Sequence, residues 1–195
     1  MNKLIYITLI GVSFLPYKFL NQRTGKIHIL ELEIDRWIPL LPIFAIPYLL
    51  FIPFIVITLV YFVLFSQFYK SITVAFTLCL LITYGFYIFY PTTVPRPAII
   101  STDFFSQLVA FIYTVDQPYN CFPSLHTSLS VLALLFWIQM FPNMLLPLGV
   151  FVLSILFSTL FTKQHHVPDV LSGMVLAILC FWISKFLAKP AIAFP

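Results

Sequence analysis

Three short polar clusters interrupt an otherwise apolar chain, and they contain most of the residue types that could carry acid–base or phosphate chemistry. Pro95-Arg96-Pro97 forms the first cluster, residues 120–126 form the second, and residues 163–169 form the third. Nearly everything between them is hydrophobic. Ionisable groups in such a chain are costly to bury, so these clusters are the places where chemistry is expected.

The third cluster contains a histidine and a carboxylate at a suggestive spacing. His165 precedes Asp169 by four residues. If both lie on a helix, they share one face, and the carboxylate can accept a hydrogen bond from one imidazole nitrogen. That bond would fix the tautomer and leave the other nitrogen basic, as a nucleophile or general base requires. His126, from another segment, would be free to act as a general acid.

Two further features would bind an anion. Arg96 offers a planar fork of donors that matches phosphate oxygens. The segment that begins near Ser124 presents unpaired N–H groups and the positive end of a helix. Together with two histidines, these features indicate phosphoryl transfer. Taken singly, Arg96 could be an interfacial residue that reaches the headgroups, and Asp169 could be an ordinary helix-start residue.

A metal site is a second interpretation of the same residues. Zinc could in principle be ligated by His126, His165, His166 and Cys121. These residues come from two segments and lack the compact Cys/His spacing that is typical of zinc sites. We therefore expect a site without metal or other cofactor, and we interpret Cys121 as a packing residue beside it.

The composition places this chemistry in a membrane. The chain has 195 residues, of which 62% are hydrophobic and 8% are charged, whereas a soluble domain carries about 25% charged residues. We interpret residues 1–195 as a single integral membrane domain. The net charge of +4 is scattered, and no basic run indicates nucleic acid. The three cysteines form no CxxC pair and support no disulfide framework.

The apolar runs predict an all-α membrane helix bundle of about six transmembrane spans. A short helix at the membrane interface is predicted over Asp103–Tyr113. The polar stretch Asn21–Trp37 is predicted to be a loop, and the prolines after it predict an interfacial entry segment and a kinked second span. The first run lacks a small-x-small cleavage site, so we expect a retained span. The predicted spans are Leu4–Leu20, about Pro47–Phe65, Ile72–Tyr90, Ser124–Met140, Met144–Phe161 and Asp169–Leu187.

Alternation of six spans places all three polar clusters at one membrane face. The third span ends at the Arg96 cluster, the fourth begins at His126, and the fifth returns to His165. The basic residues do not decide which face this is, because the cluster side carries six and the opposite side carries four. The cluster side has Lys18, Arg23, Lys26, Arg36, Arg96 and Lys163, and the opposite side has Lys3, Lys70, Lys185 and Lys189.

The order of the motifs resembles the type 2 phosphatidic acid phosphatase superfamily. Its patterns Lys-x6-Arg-Pro, Pro-Ser-Gly-His and Ser-Arg-x5-His-x3-Asp are matched by Arg96-Pro97, by Pro123–His126 and by Ser158–Asp169. The resemblance implies a catalytic core over about residues 45–187. Leu125 in place of glycine, the stretch Thr162–His165 and the segment Asp35–Pro39 look like the inositolphosphotransferase-like branch, similar to inositol phosphorylceramide synthases.

The resemblance also implies a role for each residue that matches a motif. His165 would be the nucleophile that forms a phosphohistidine, Asp169 would orient it, and His126 would protonate the leaving oxygen. Arg96 and Ser124 would bind the substrate phosphate. The resemblance further implies a lipid phosphate substrate in the bilayer, a site that needs no metal, and an active site on the extracytoplasmic face. We expect a multi-pass protein of a bacterial inner (plasma) membrane.

Two departures from the motifs keep alternatives open. Phe89 stands where the first motif has lysine, and Thr159 stands where the third has arginine. We expect Lys163 to replace one of these cations. The favoured function is a phosphatase or phosphotransferase acting on a lipid phosphate. The alternatives are an inositolphosphoryl or other headgroup transferase, and a catalytically silent protein that binds or transports an anionic lipid. The sequence determines neither the lipid, nor the acceptor, nor the oligomeric state.

Overall fold

The computed structural model describes residues 3–21 and 26–188, which form eight α-helices. Within these residues the only β-structure is two isolated bridges between loops. Arg23 and Lys189, which enter the comparison of basic residues, lie outside the described part of the chain. The helices are α1 (Leu4–Leu20), α2 (Glu33–Trp37), α3 (Ala45–Phe65), α4 (Tyr69–Phe89), α5 (Phe104–Val115), α6 (Leu125–Met140), α7 (Leu145–Phe161) and α8 (Val167–Leu187).

The prediction of an all-α membrane helix bundle is confirmed. Four helices are long and apolar enough to cross a membrane, namely α3 and α7 with the 3₁₀ turns before them, α4 and α8. The other two predicted spans are the shorter apolar helices α1 and α6, which have 17 and 16 residues. At about 1.5 Å per residue, each is roughly 25 Å long, slightly less than a hydrocarbon core of about 30 Å. Helix α6 lies at the centre and packs against α3, α4, α7 and α8, whereas α1 packs mainly on α4.

The stretch predicted as a polar loop contains a short helix. Helix α2 forms because the Asp35 carboxylate accepts a hydrogen bond of 2.8 Å from the Leu32 N–H at its start. The other carboxylate oxygen of Asp35 accepts from Val167 N–H at 2.7 Å. This side chain, which is 5% exposed, therefore joins α2 to the start of α8. The prediction of a loop was wrong for Glu33–Trp37, because it did not anticipate that the Asp35 carboxylate would accept from the Leu32 N–H.

Two loops on the polar side of the bundle are joined through one threonine. Thr92 Oγ1 accepts from the backbone N–H groups of Cys121 and Phe122 at 2.9 and 3.0 Å. The Thr92 carbonyl accepts from Asn120 N–H at 2.7 Å. These bonds hold the segment that carries Arg96 against the segment that leads into α6.

The beginnings of α6 and α8 approach each other closely. Ser124 N–H donates to the Asp169 carbonyl at 3.0 Å. One turn further along α8, Gly173 faces the same contact, where a Cβ would stand 2.7 Å from the Ser124 carbonyl oxygen and 3.0 Å from Thr127 Cβ. Membrane helices approach this closely where the interface residue is small, so Gly173 permits the backbone contact.

We expect Gly173→Ala to destabilise the bundle. The added methyl group collides with backbone, which cannot move without separating α6 from α8, and overpacking of this kind costs about 1–3 kcal/mol. Thermal unfolding of the purified protein in detergent would show a lower midpoint.

Gly149→Ala is the matched control, because a Cβ at Gly149 on α7 meets nothing within 4 Å. This variant should be as stable as the parent or slightly more stable, since alanine is the better helix former. Equal midpoints for the two variants would show that the contact at Gly173 does not constrain the fold.

The fold also predicts which loops lie on the same side of the membrane. Ser101 and Asn143 are exposed at opposite ends of the bundle, and the three native cysteines are buried. In sealed vesicles of one orientation, an impermeant maleimide should label either Ser101→Cys or Asn143→Cys, and the other only after permeabilisation. Labelling of both from the same side would contradict a membrane-crossing α6.

Candidate active site

Two histidines from different helices face each other at the polar end of the bundle. His126 lies in the first turn of α6, and His165 lies just before α8. Their ring centroids are 5.7 Å apart and the rings are inclined by 63°. His165 is 8% exposed. The structure thus brings together two residues that are separated by most of α6 and all of α7.

The Asp169 carboxylate lies next to the His165 ring. His165 Nδ1 lies 3.5 Å from Asp169 Oδ2, and the same oxygen accepts from His166 N–H at 2.9 Å. The predicted pair is present, but it does not lie on one helix, because α8 begins at Val167. The side chain of Asp169, in the first turn of α8, instead contacts the two residues that precede the helix. This arrangement leaves His165 Nε2 available on the side away from the carboxylate.

The adjacent histidine differs in its surroundings. His166 is the N-cap residue of α8, with extended backbone geometry. Its side chain is 7% exposed. The small polar cavity between the two facing histidines is lined by Gln164 and His165, among others, but not by His166. The side chain of His166 therefore lies beside the histidine pair.

Arg96 is held at the same site by three neighbours. Its Nη1 donates to the Asp116 carbonyl at 2.7 Å, and its Nη2 donates to Gln164 Oε1. The guanidinium lies 4.7 Å from the centre of the Tyr113 ring, and Tyr113 OH donates to the Thr162 carbonyl at 2.9 Å. Helix α5 therefore supports the arginine and connects it to the loop that carries His165.

Two buried side-chain donors, one on Arg96 and one on Gln164, have no acceptor in the described part of the chain. Arg96 Nε and Gln164 Nε2 have no hydrogen-bond partner within residues 3–21 and 26–188, and Gln164 is 2% exposed. Buried donors are normally paired. Two such donors next to a pair of histidines provide a place for the oxygens of an anion.

The structure gives other partners to the remaining predicted phosphate contacts. Ser124 is fully buried, and its Oγ accepts from Thr127 N–H at 3.3 Å, so its hydroxyl caps α6. The Lys163 ammonium donates to the carbonyls of Asp35 and Ile38. Lys163 therefore connects the end of α7 to α2 instead of reaching toward the histidines, which corrects the expectation that it replaces a missing cation.

The two positions that depart from the motifs supply no charge to the site. Phe89 is 86% exposed at the end of α4. Thr159 is fully buried, and its carbonyl accepts from the N–H groups of Gln164 and His165 at 2.9 and 3.1 Å. The backbone of Thr159 thus shapes the loop that presents His165.

Asp116, at the end of α5, is a site residue that the sequence patterns did not identify. Its carboxylate accepts from Tyr48 OH at 2.5 Å, from Tyr17 OH at 2.9 Å and from Asn21 Nδ2 at 2.9 Å. Its Oδ2 also lies 4.0 Å from His126 Nε2. The available signal was an isolated acid directly after the predicted interfacial helix.

The surroundings of Asp116 keep it ionised. Burial alone would raise the pKa of this carboxyl, but nearby His126 and the hydroxyls of Tyr48 and Tyr17 outweigh burial and lower the pKa below its ordinary value. The negative charge beside His126 offsets part of the cost of a buried imidazolium.

A chamber of about 260 Å³ opens beside this carboxylate. Its polar end is formed by Asp116, His126, Tyr17 and Tyr48, and the rest is formed by apolar side chains of α1, α3, α5 and α6. Within the described ranges, no three His, Cys, Asp or Glu side chains come together in an arrangement that could hold a metal ion. The residues of the zinc interpretation are therefore not assembled as a ligand set.

Comparison with known proteins identifies a family and a relative to which this chain is similar. The family model described as PAP2 superfamily matches residues 32–183. The chain is 33% identical over 72 residues to the inositol phosphorylceramide synthase catalytic subunit aur1 of Schizosaccharomyces pombe. That alignment covers 37% of this chain and 17% of the relative. No solved structure matches the chain.

We expect Asp116→Ala to destabilise the protein strongly. The change removes the acceptor of two tyrosine hydroxyls and one amide, and buried hydrogen bonds to a charged group contribute about 1.5–3 kcal/mol each. Thermal unfolding should show a large loss of stability. Asp103→Ala, which removes the exposed carboxylate at the other end of α5, is the control and should have a much smaller effect.

The parent protein and the Asp116→Ala variant also test whether Asp116 is ionised. Because its folded pKa is lowered, its contribution is fully present above the unfolded pKa of about 3.9 and is lost as the pH falls through the folded value. The stability difference between the parent and Asp116→Ala should be constant from about pH 5 to pH 8 and shrink in stronger acid. A difference that grows on acidification would contradict an ionised Asp116.

Proposed function

This chain belongs to the PAP2 superfamily, and we propose that it is a membrane-embedded phosphatase or phosphotransferase that acts on a lipid phosphate. One observation carries the proposal. Among the described residues, His165, with Asp169 at its Nδ1, faces His126 next to two buried donors without an acceptor, Arg96 Nε and Gln164 Nε2. A candidate nucleophile, a candidate acid and a candidate anion site are thus neighbours.

The phosphoryl group would bind between Arg96 and the two histidines. The guanidinium is positioned by Gln164, Tyr113 and the Asp116 carbonyl, and such preorganised donors stabilise charge that develops in the transition state. Arg96 supplies a full positive charge and Gln164 a neutral amide. The charge of the phosphate would be met by these side chains without a metal ion.

In the first step, His165 Nε2 would attack phosphorus. A P–N bond forms as the P–O bond to the lipid alcohol breaks, and the leaving oxygen takes a proton from His126. Asp169 would hold the His165 ring and stabilise the positive charge that it acquires. The products of this step are the free lipid alcohol and a phosphohistidine.

In the second step, His126 would act as a base. It would take a proton from water or from an acceptor alcohol as that oxygen attacks the phosphohistidine, and the P–N bond would break. Water would give inorganic phosphate, whereas an alcohol would give a new phosphate ester. His165 and His126 would both return to their starting states.

Similarity to the aur1 subunit supports a second candidate, transfer of an inositolphosphoryl or other headgroup to an alcohol. The same residues would serve it, with a phosphodiester in place of the monoester. Phosphate release and product ester should both be measured with and without an added alcohol. Release of phosphate alone would support the hydrolase, and formation of a new ester would support the transferase.

We further propose that residues 1–195 form one membrane domain with the catalytic core in about residues 45–187, and that the site faces the extracytoplasmic side of a bacterial inner membrane. The alternative is a catalytically silent protein that binds or transports an anionic lipid through Arg96 and the histidines, since Phe89 and Thr159 stand where the motifs have cations. A purified protein that binds a lipid phosphate but neither hydrolyses nor transfers it would support that alternative.

The two adjacent histidines give the sharpest test. His165→Ala should lower turnover by on the order of 10⁴-fold or more, because the nucleophile is lost. His166→Ala is the matched control and should keep most of the activity, because the backbone N–H and carbonyl through which His166 contacts Asp169 are retained in alanine. Labelled substrate should trap a phosphoenzyme that survives at alkaline pH, and peptide mapping should place the label at residue 165.

Chelator and vanadate complete this experiment. Turnover should persist with chelator, and vanadate should inhibit, since it mimics five-coordinate phosphorus. A label on His166, an active His165→Ala protein, or activity that chelator abolishes and zinc restores would each contradict the mechanism.

A further inference from the structure

A groove with apolar walls runs along the surface between α1 and α3. Its volume is about 330 Å³. On α1 it is bordered by Ile7 and Gly11, and on α3 by Ile52, Val56 and Val60. Three of these side chains, Ile52, Val56 and Val60, are at least 45% exposed. From residue 52 to residue 63 the groove follows α3 for roughly 16 Å.

Polar contacts hold α1 and α3 together at the two ends of the groove. At one end, Lys3 Nζ donates to the Leu64 carbonyl at 2.7 Å. At the other end, Tyr17 of α1 and Tyr48 of α3 both donate to the Asp116 carboxylate. Between these contacts α1 packs mainly against α4. The separation of α1 and α3 is therefore set at both ends.

The groove is continuous with the candidate active site. Phe14, Phe51 and Ile52 line both the groove and the chamber beside the histidines. Tyr17, Asp116 and His126 form the polar end of that chamber. An amphiphile that lies along the groove would thus have its apolar part between α1 and α3 and its polar end beside His126, whose ring faces that of His165.

We propose that this groove binds an acyl chain of the lipid phosphate substrate and aligns the phosphate with His165. The inference rests on the proposed function. The occupant must be apolar along its length and must carry its anionic group at one end. Binding energy from this remote, unreactive part of the substrate would be used to position the phosphate.

Gly11 offers a way to block the groove. A Cβ at this position meets nothing within 4 Å, and Gly11 lines the groove, so Gly11→Phe adds a ring at the groove wall from a Cβ that has space. We expect this change to lower kcat/KM for long-chain phosphatidic acid in detergent micelles by about tenfold or more. Hydrolysis of p-nitrophenyl phosphate, which has no acyl chain, should be unchanged.

Gly149→Phe is the matched control. It makes the same substitution on α7, where a Cβ also meets nothing within 4 Å, and it should leave both activities unchanged. Thermal unfolding should show that both variants are folded. Equal losses on the two substrates in Gly11→Phe, or loss of phosphatidic acid turnover in both variants, would overturn the proposal.

A binding experiment tests the groove independently of catalysis. Phosphatidic acid with a photoreactive acyl chain, in phosphatidylcholine vesicles, should label residues such as Ile7, Ile52 and Val56. Excess unlabelled phosphatidic acid should displace the label, and Gly11→Phe should abolish it. This result without turnover would support the groove while refuting the proposed activity. Labelling only at residues outside the groove would overturn the proposal. Labelling that phosphatidylcholine displaces equally well would also overturn it, because bulk lipid would then fill the groove.

Discussion

The contact between the starts of α6 and α8 is the constraint on which the histidine pair depends. Ser124 N–H lies ahead of the first turn of α6, where no helical carbonyl can accept from it, and it donates to the Asp169 carbonyl at 3.0 Å. In a membrane, an unsatisfied backbone group is costly. Only a residue without a side chain at Gly173 leaves room for this bond. The bond brings His126 and His165 to one place.

Two of the buried carboxylates, Asp116 and Asp35, accept hydrogen bonds from donors on other helices. Asp116 joins α1 and α3 to the end of α5, Asp35 joins α2 to α8, and Asp169 organises the start of α8. Burying a carboxylate is unfavourable unless it is well hydrogen-bonded. Asp116 and Asp35 are therefore structural links between segments that are distant in the sequence, whereas Asp169 contacts His165 and His166 within its own segment.

The phosphate environment differs from the motif pattern that the sequence resembles. The two motif cations are absent, and Lys163 is occupied by carbonyls of residues 35 and 38. Arg96 is the cation that the structure directs to the histidines, supported by a glutamine side chain and an aromatic ring. An amide donor contributes less to anion binding than a charged one. Arg96 and Gln164 are therefore donors beside the histidine pair, one charged and one neutral.

The sequence by itself determined the membrane class, the helical spans and the residues of the two histidine motifs. Hydrophobic composition and local spacing are properties of short stretches, so they can be read without coordinates. The tertiary structure alone decided how Asp169 reaches His165, that Lys163 is directed elsewhere, and that Asp116 and Gln164 belong to the site. Those facts depend on bonds between residues up to 128 positions apart, and spacing along the chain contains no information about such distances.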